Sequence, residues 1–349
     1  MSRVDAPPRH CEPKAKQSSR RLSFPGWLRR FAPRHDGLSA LVAPILLILA
    51  FSSARADEAF IPNQGGGDLA IVDLAAMTVA ARLPLGGKPA GVAVAPDGLR
   101  VYVTSPEGGF VSVIDARARR VEKRIEAPGL PFGVAVAPDG GKIYVADMNG
   151  RELTEIDAQS GAKRKAEVGA VPSGVAVTPD GAVIVVSARD DDALVLLDAE
   201  TLAVRATIPV GRHPFGLAID AAGERAYCVN VESDDLSVVD LKTQRLVATV
   251  KVGKRPYGVA LAGGRVFAAN QYDETVSVLD ARSLAPLAVV KVGEYPESLS
   301  ASPDGARIYV SNWFSNELWA LDAQSLEILG KTETGEGPRA FGAFMRKTD

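Results

Sequence analysis

A proline, in most copies three residues after a glycine, recurs at Pro89, Pro131, Pro172, Pro214, Pro256, Pro296 and Pro338, at intervals of 42, 41, 42, 42, 40 and 42 residues. A column of aspartates keeps the same phase: Asp73, Asp115, Asp157, Asp198, Asp240, Asp280 and Asp322. Two independent columns in register over seven copies require a repeat architecture. Within one copy the apolar residues fall into four short runs, at 91–94, 101–103, 111–114 and 121–125, the first two separated by the turn Pro96-Asp97-Gly98. The runs are rich in β-branched residues and bounded by turn formers, and none is long enough or suitably periodic for a helix.

Four strands per repeat of about 40–45 residues predict an all-β chain, a seven-bladed β-propeller with four antiparallel strands per blade. Six complete copies begin at the first six prolines. After Pro338 only one strand remains, around 340–345, and three precede Pro89, near 60–61, 69–73 and 79–85. The last blade is therefore expected to be closed by strands from both chain ends, which removes an open sheet edge.

Residues 1–56 are set apart from this pattern. The segment 38–51 (LSALVAPILLILAF) is uncharged, follows Arg29, Arg30 and Arg34, and precedes Ala54-Arg55-Ala56. Basic, apolar and small-x-small in that order predict a secretory signal, cleaved after Ala56, with 57–349 as one propeller domain in the periplasm or outside the cell. The apolar run is too short for a comfortable membrane span, so no stable membrane association is expected after cleavage. Arg20-Arg21 resembles a twin-arginine signal but lies far ahead of the apolar core, which favours the general secretory route.

Removal of 1–56 leaves 30 Lys/Arg against 39 Asp/Glu, a formal charge of −9 where the full chain carries −2. An acidic domain repels phosphate backbones, which makes nucleic acid a poor partner. Cys228 and His213 are then the remaining Cys and His. That scarcity excludes a disulfide scaffold, a cysteine-rich zinc site and an attached c-type haem. No Walker A, G-x-G-x-x-G, H-E-x-x-H or G-x-S-x-G motif is present. No cofactor is expected, and the chain is expected to be monomeric.

The second strands read Tyr102-Val103-Thr104-Ser105, Tyr227-Cys228-Val229-Asn230 and Tyr309-Val310-Ser311-Asn312, and Pro-Asp-Gly turns recur at Pro138, Pro179 and Pro303. In these residues the chain resembles the YVTN family of β-propeller repeats over nearly all of 59–346. The third copy departs from the pattern, with Val185-Val186-Ser187-Ala188. The resemblance implies a secreted, periplasmic or surface propeller with a binding or scaffolding role. It does not imply one activity, since propellers host many.

The aspartate column reads as structural, because Asp opening a tight turn accepts backbone N–H groups further along. The turns joining strands one and two are near-uniform, whereas the two–three loops vary: SPEGG, DMNGRE, ARDDDA, NVESDD, NQYDET and NWFSNE. Varied loops on a rigid scaffold usually carry recognition, so the working surface is expected on their face, at the mouth of the central channel. Residues flanking the repeated prolines should ring that mouth: Lys88, Phe132, Ser173, His213, Phe215, Arg255, Tyr257, Tyr295, Glu297 and Arg339. This set suits a protein or a small anionic or aromatic ligand, with Arg255 and Arg339 as the best anchors for an anion. Asp190, Asp191, Asp192, Glu232, Asp234, Asp235, Asp273 and Glu274 read as a solvated acidic patch.

Two functions remain open. One is a non-catalytic propeller that binds through the varied face. The other, implied by a resemblance in architecture to lactonase propellers, is a metal-dependent, lactonase-like hydrolase with a channel-mouth cation held by residues such as Asn230, Asn270 and Glu297.

Overall fold

The computed structural model describes residues 57–347; the expected leader and its cleavage site lie outside the described residues. The described residues form seven four-stranded antiparallel sheets. Blades are numbered here from the copy at Pro89, and strands from the channel outwards. In the first blade the strands are Val92–Val94, Arg100–Ser105, Phe110–Asp115 and Arg120–Glu126. Strands two and three are buried on both faces because each sheet is covered by a neighbouring blade, which makes their apolar runs nearly continuous. The outermost strands alternate instead, as in Arg245–Lys251 of the fourth blade, where exposed and half-buried positions interchange at the rim.

The repeat is legible in the packing between blades. Tyr102, Tyr144, Tyr227 and Tyr309 are all buried, and the Tyr227 hydroxyl donates to the Ala281 carbonyl of the next blade at 3.3 Å. Nearest the channel, glycines let adjacent inner strands approach. A Cβ on Gly91 would lie 2.0 Å from the Phe132 carbonyl oxygen, and one on Gly133 1.9 Å from that of Ser173.

The seventh blade is built from both ends. Met345–Arg346 pairs with Glu58–Asn63, which continues into Asp68–Asp73 and Thr78–Pro84. Its innermost strand is shorter than the sequence predicts, because the chain before Met345 turns to the first blade instead. Val92 N donates to Phe341 O at 2.9 Å, Val94 N donates to Ala343 O at 2.8 Å, and Gly342 adopts φ +121°. A buried ion pair locks the join: Arg346 Nη1 donates to Glu58 Oε2 at 2.7 Å and to the Ala116 carbonyl at 3.1 Å. Arg119 Nη2 donates to Glu58 Oε1 at 2.7 Å.

The aspartate column caps turns. Asp115 Oδ1 accepts from Arg117 N at 2.9 Å and Ala118 N at 2.8 Å, and Asp157, Asp198, Asp280 and Asp322 accept from the equivalent amides. Backbone N–H groups hold the carboxyls of Asp115, Asp157, Asp240, Asp280 and Asp322 below their ordinary value of 3.8. At Asp198 the Arg205 guanidinium is the larger cause of the same shift. A depressed folded-state pKa contributes stability above the unfolded value, and that contribution is lost as pH falls through the folded value. The melting temperature is therefore expected to hold down to about pH 4 and to fall progressively below it. A scan of thermal unfolding from pH 7 to pH 2 measures this, and a flat profile below pH 4 would contradict it.

Candidate functional site

The residues beside the repeated prolines gather at the channel end on the varied-loop face. The structure divides them into three groups, because successive positions on an inner strand point in different directions.

The first group closes the channel. Phe132 and Phe215 meet Phe341, which sequence reasoning missed, with ring centroids 5.0–5.6 Å apart. Tyr257 packs edge-on against Phe215 at 5.0 Å. The three phenylalanines are buried with Ala90 and Val231, so they form a plug across the mouth. Each comes from a different blade, and such rings favour tilted or edge-to-face contacts at these spacings.

The second group is a buried ion pair beside the plug. Glu297 is 0% exposed. Its carboxylate accepts from Arg339 Nε at 2.6 Å, from Arg339 Nη2 at 2.8 Å and from Gln271 Nε2 at 2.6 Å. Burial pulls the Arg339 guanidinium down, but Glu297 more than offsets this and leaves it raised. Arg339 is thus spent on Glu297, and Arg255, with a 40% exposed side chain, is the freer guanidinium of the expected pair. Burial first, and the Glu297 carboxylate second, raise the Tyr257 phenol, which stays a neutral hydroxyl.

The third group sits on left-handed backbone. Lys88, His213, Arg255 and Tyr295 have φ of +57°, +54°, +51° and +53°, an unusual state for a residue before proline. Two of these positions are held by the acidic loops. Asp192 Oδ1 accepts from His213 N, and Asp234 Oδ1 from Arg255 N, each at 2.8 Å. Asp191 and Asp273 accept from Ala170 N and Lys254 N in the same way. These carboxylates therefore tie the varied loops to the connections between blades, while Asp190, Asp191 and Asp273 remain exposed to solvent as the sequence suggested. Asp235 accepts from Asn230 Nδ2 and Ser233 Oγ within its own blade. The side chains of His213 and Arg255 approach Glu232 at 3.4 and 3.5 Å. Ser173 is buried, its hydroxyl 3.1 Å from that of Ser187 and 3.2 Å from the Pro214 carbonyl.

The residues expected to hold a cation come from three successive blades, and each has hydrogen-bond partners of its own. Asn230 Nδ2 donates to Asp235 and Ser237, while its Oδ1 is buried without a hydrogen-bond partner among the described residues. Asn270 donates to Thr275 and Ser277 and accepts from Gly253 N. Glu297 is neutralised by Arg339. Among the described residues there is no cluster of three or more His, Cys, Asp or Glu arranged to hold a metal ion. Cys228 is wholly buried, and desolvation pushes its thiol up, the opposite of what an activated nucleophile requires.

An aromatic patch lies on the same face, outside the plug. Tyr272 and Phe314 are 59% and 60% exposed and Tyr295 is 37% exposed. Tyr295 stands 5.7 Å from Tyr272, 5.6 Å from Phe314 and 6.4 Å from Trp313 between ring centroids. Arg255 lies 5.9 Å over Tyr272 and Arg339 5.6 Å over Trp313, which ties the patch to the mouth. Tyr272, Trp313 and Phe314 belong to the varied loops NQYDET and NWFSNE, where their aromatic character was the available signal.

The class of protein is a seven-bladed β-propeller. A family model described as "Lactonase, 7-bladed beta-propeller" matches residues 140–262, about a third of the chain. No curated protein matches. Among solved structures the chain is similar to hydrazine synthase from Kuenenia stuttgartiensis, with 22% identity, a TM-score of 0.69, and 77% of this chain and 92% of that chain covered. It is also similar to a functionally unknown protein from Desulfotomaculum acetoxidans, with 14% identity, a TM-score of 0.72, and 84% and 100% covered. At these identities the likeness concerns the fold alone.

Proposed function

We propose that the mature chain is a non-catalytic binding propeller of the periplasm or cell surface, and that it recognises a protein partner through the aromatic patch on the varied-loop face. The observation that carries this reading is the contiguity of Tyr272, Tyr295, Trp313 and Phe314, with Arg255 at the edge. Exposed apolar clusters of this kind mark interaction sites, and Tyr, Trp, Phe and Arg are the residues enriched at them. Behind the patch, Arg339 lies over Trp313 and is itself held by the buried Glu297.

The test is a comparison of the wild-type mature protein with Tyr295→Ala and Phe314→Ala. A partner identified from an extracytoplasmic extract and then purified is expected to bind the wild type directly, and each variant at least about tenfold more weakly, as for an interface hot spot. Stability is expected to stay within about 0.5 kcal/mol, because both side chains are largely outside the core. Unchanged affinity in both variants would remove the patch from the reading.

The family-model match over residues 140–262 favours a second reading, a lactonase-like hydrolase. The Arg339 guanidinium on the Glu297 carboxylate and the Gly253 N–H on Asn270 Oδ1 weigh against it. Elemental analysis of the purified protein, with a lactone-hydrolysis assay run with and without chelator, distinguishes the two. Chelator-sensitive turnover would replace the binding proposal.

A further inference from the structure

The plug leaves the channel as a cul-de-sac. A cavity of 420 Å³ runs along the propeller axis, with Phe132, Phe215 and Phe341 at its floor. Its walls are the inner strands, which contribute one residue per blade at each level. Ala135, Ala176 and Ala218 belong to one level, and Val136, Val177 and Ile219 to the next. The floor residues are buried, while these wall residues are half-buried, so the cavity opens towards the uniform one–two turns, away from the aromatic patch.

We propose that this cul-de-sac is a binding site for an uncharged, compact apolar small molecule bearing at most a hydroxyl or carbonyl, distinct from the surface on the varied-loop face. Three observations carry the assignment. The volume falls within the range of about 300–1,000 Å³ typical of small-molecule sites. Among the described residues no ionisable side chain lines the cavity, and the polar side chains that do are the hydroxyls of Ser173, Ser298 and Ser300. An ionised ligand would enter without a counter-charge, at a large desolvation cost, whereas an apolar one gains burial. The aromatic floor offers ring faces and edges to a flat ligand, while the rim of Val136, Val177 and Ile219 is closed to ionic recognition.

The probe is N-phenyl-1-naphthylamine, an uncharged dye that brightens on leaving water, titrated into the mature wild-type protein. Saturable binding with one site per chain is expected. Unlabelled 1-naphthol should displace the dye at least tenfold more effectively than 1-naphthoate, which has a similar ring system but carries a charge. Ala176→Leu/Ala218→Leu narrows the cavity, and Val136→Asp sets a carboxylate at its half-buried rim; each should weaken dye binding at least tenfold. Tyr295→Ala and Phe314→Ala should leave it unchanged, so failure here and failure of the patch reading give separate results. If the cavity variants do not fold, the competition on the wild type decides alone. Absent saturation, equal displacement by naphthoate, or dye binding lost in the patch variants would each overturn the proposal.

Discussion

Glu58→Ala is expected to destabilise the domain by about 3–5 kcal/mol, the cost of stranding a buried guanidinium. Glu58 and Arg346 have side chains 2% and 6% exposed, and their 2.7 Å contact joins the first strand of the described chain to the last. Removing the carboxylate leaves Arg346 in place with, among the described residues, the Ala116 carbonyl as its remaining acceptor. Arg119 suffers less, because its side chain is 30% exposed and can turn to water. For a domain of this size the melting temperature should fall by roughly 5–8 °C. The double variant Glu58→Leu/Arg346→Met should recover much of the loss, since an apolar pair of similar volume is often as stable as a buried ion pair. Thermal and urea unfolding of the three variants measures both effects. A loss below about 1 kcal/mol in Glu58→Ala would mean that the seventh blade does not depend on this contact.

Gly133→Ala is expected to cost about 3 kcal/mol, the upper end of the usual range for overpacking. The new methyl would lie 1.9 Å from the Ser173 carbonyl oxygen and 3.0 Å from its carbon. The obstructing atoms are main chain of the next blade, so no rotamer change relieves the contact and the inner strands must separate. Gly161→Ala is the matched control. It has φ of +75° with nothing within 4 Å of the added carbon, so it tests conformational strain without a clash. About 1 kcal/mol is expected there. Equal effects of the two substitutions in urea unfolding would show that backbone conformation, and not the spacing of inner strands, explains the glycine column.

The blade count, the strand order and the closure by both ends were legible in the sequence because each depends on local pattern repeated at one period. A turn at Pro96-Asp97-Gly98 or a capping Asp115 is specified within a few residues, and seven copies in phase leave one way to arrange them. The chemistry of the mouth is another matter. Glu297 and Arg339 stand 42 residues apart and read as two independent charges, one of them an anion anchor, until the ring brings adjacent blades together and each neutralises the other. Asp192 and Asp234 read as solvent-facing charge, yet the loops turn them onto the amides of His213 and Arg255. The aromatics divide into a buried plug and an exposed patch according to the direction each side chain takes from its own blade, which the period does not encode. Sequence alone determined that this chain is a closed ring of seven sheets, because short-range hydrogen bonding and alternation suffice for that. Only the tertiary structure decided which residues line, plug or flank the channel, because those contacts form between positions that share no segment and meet only when the ring closes.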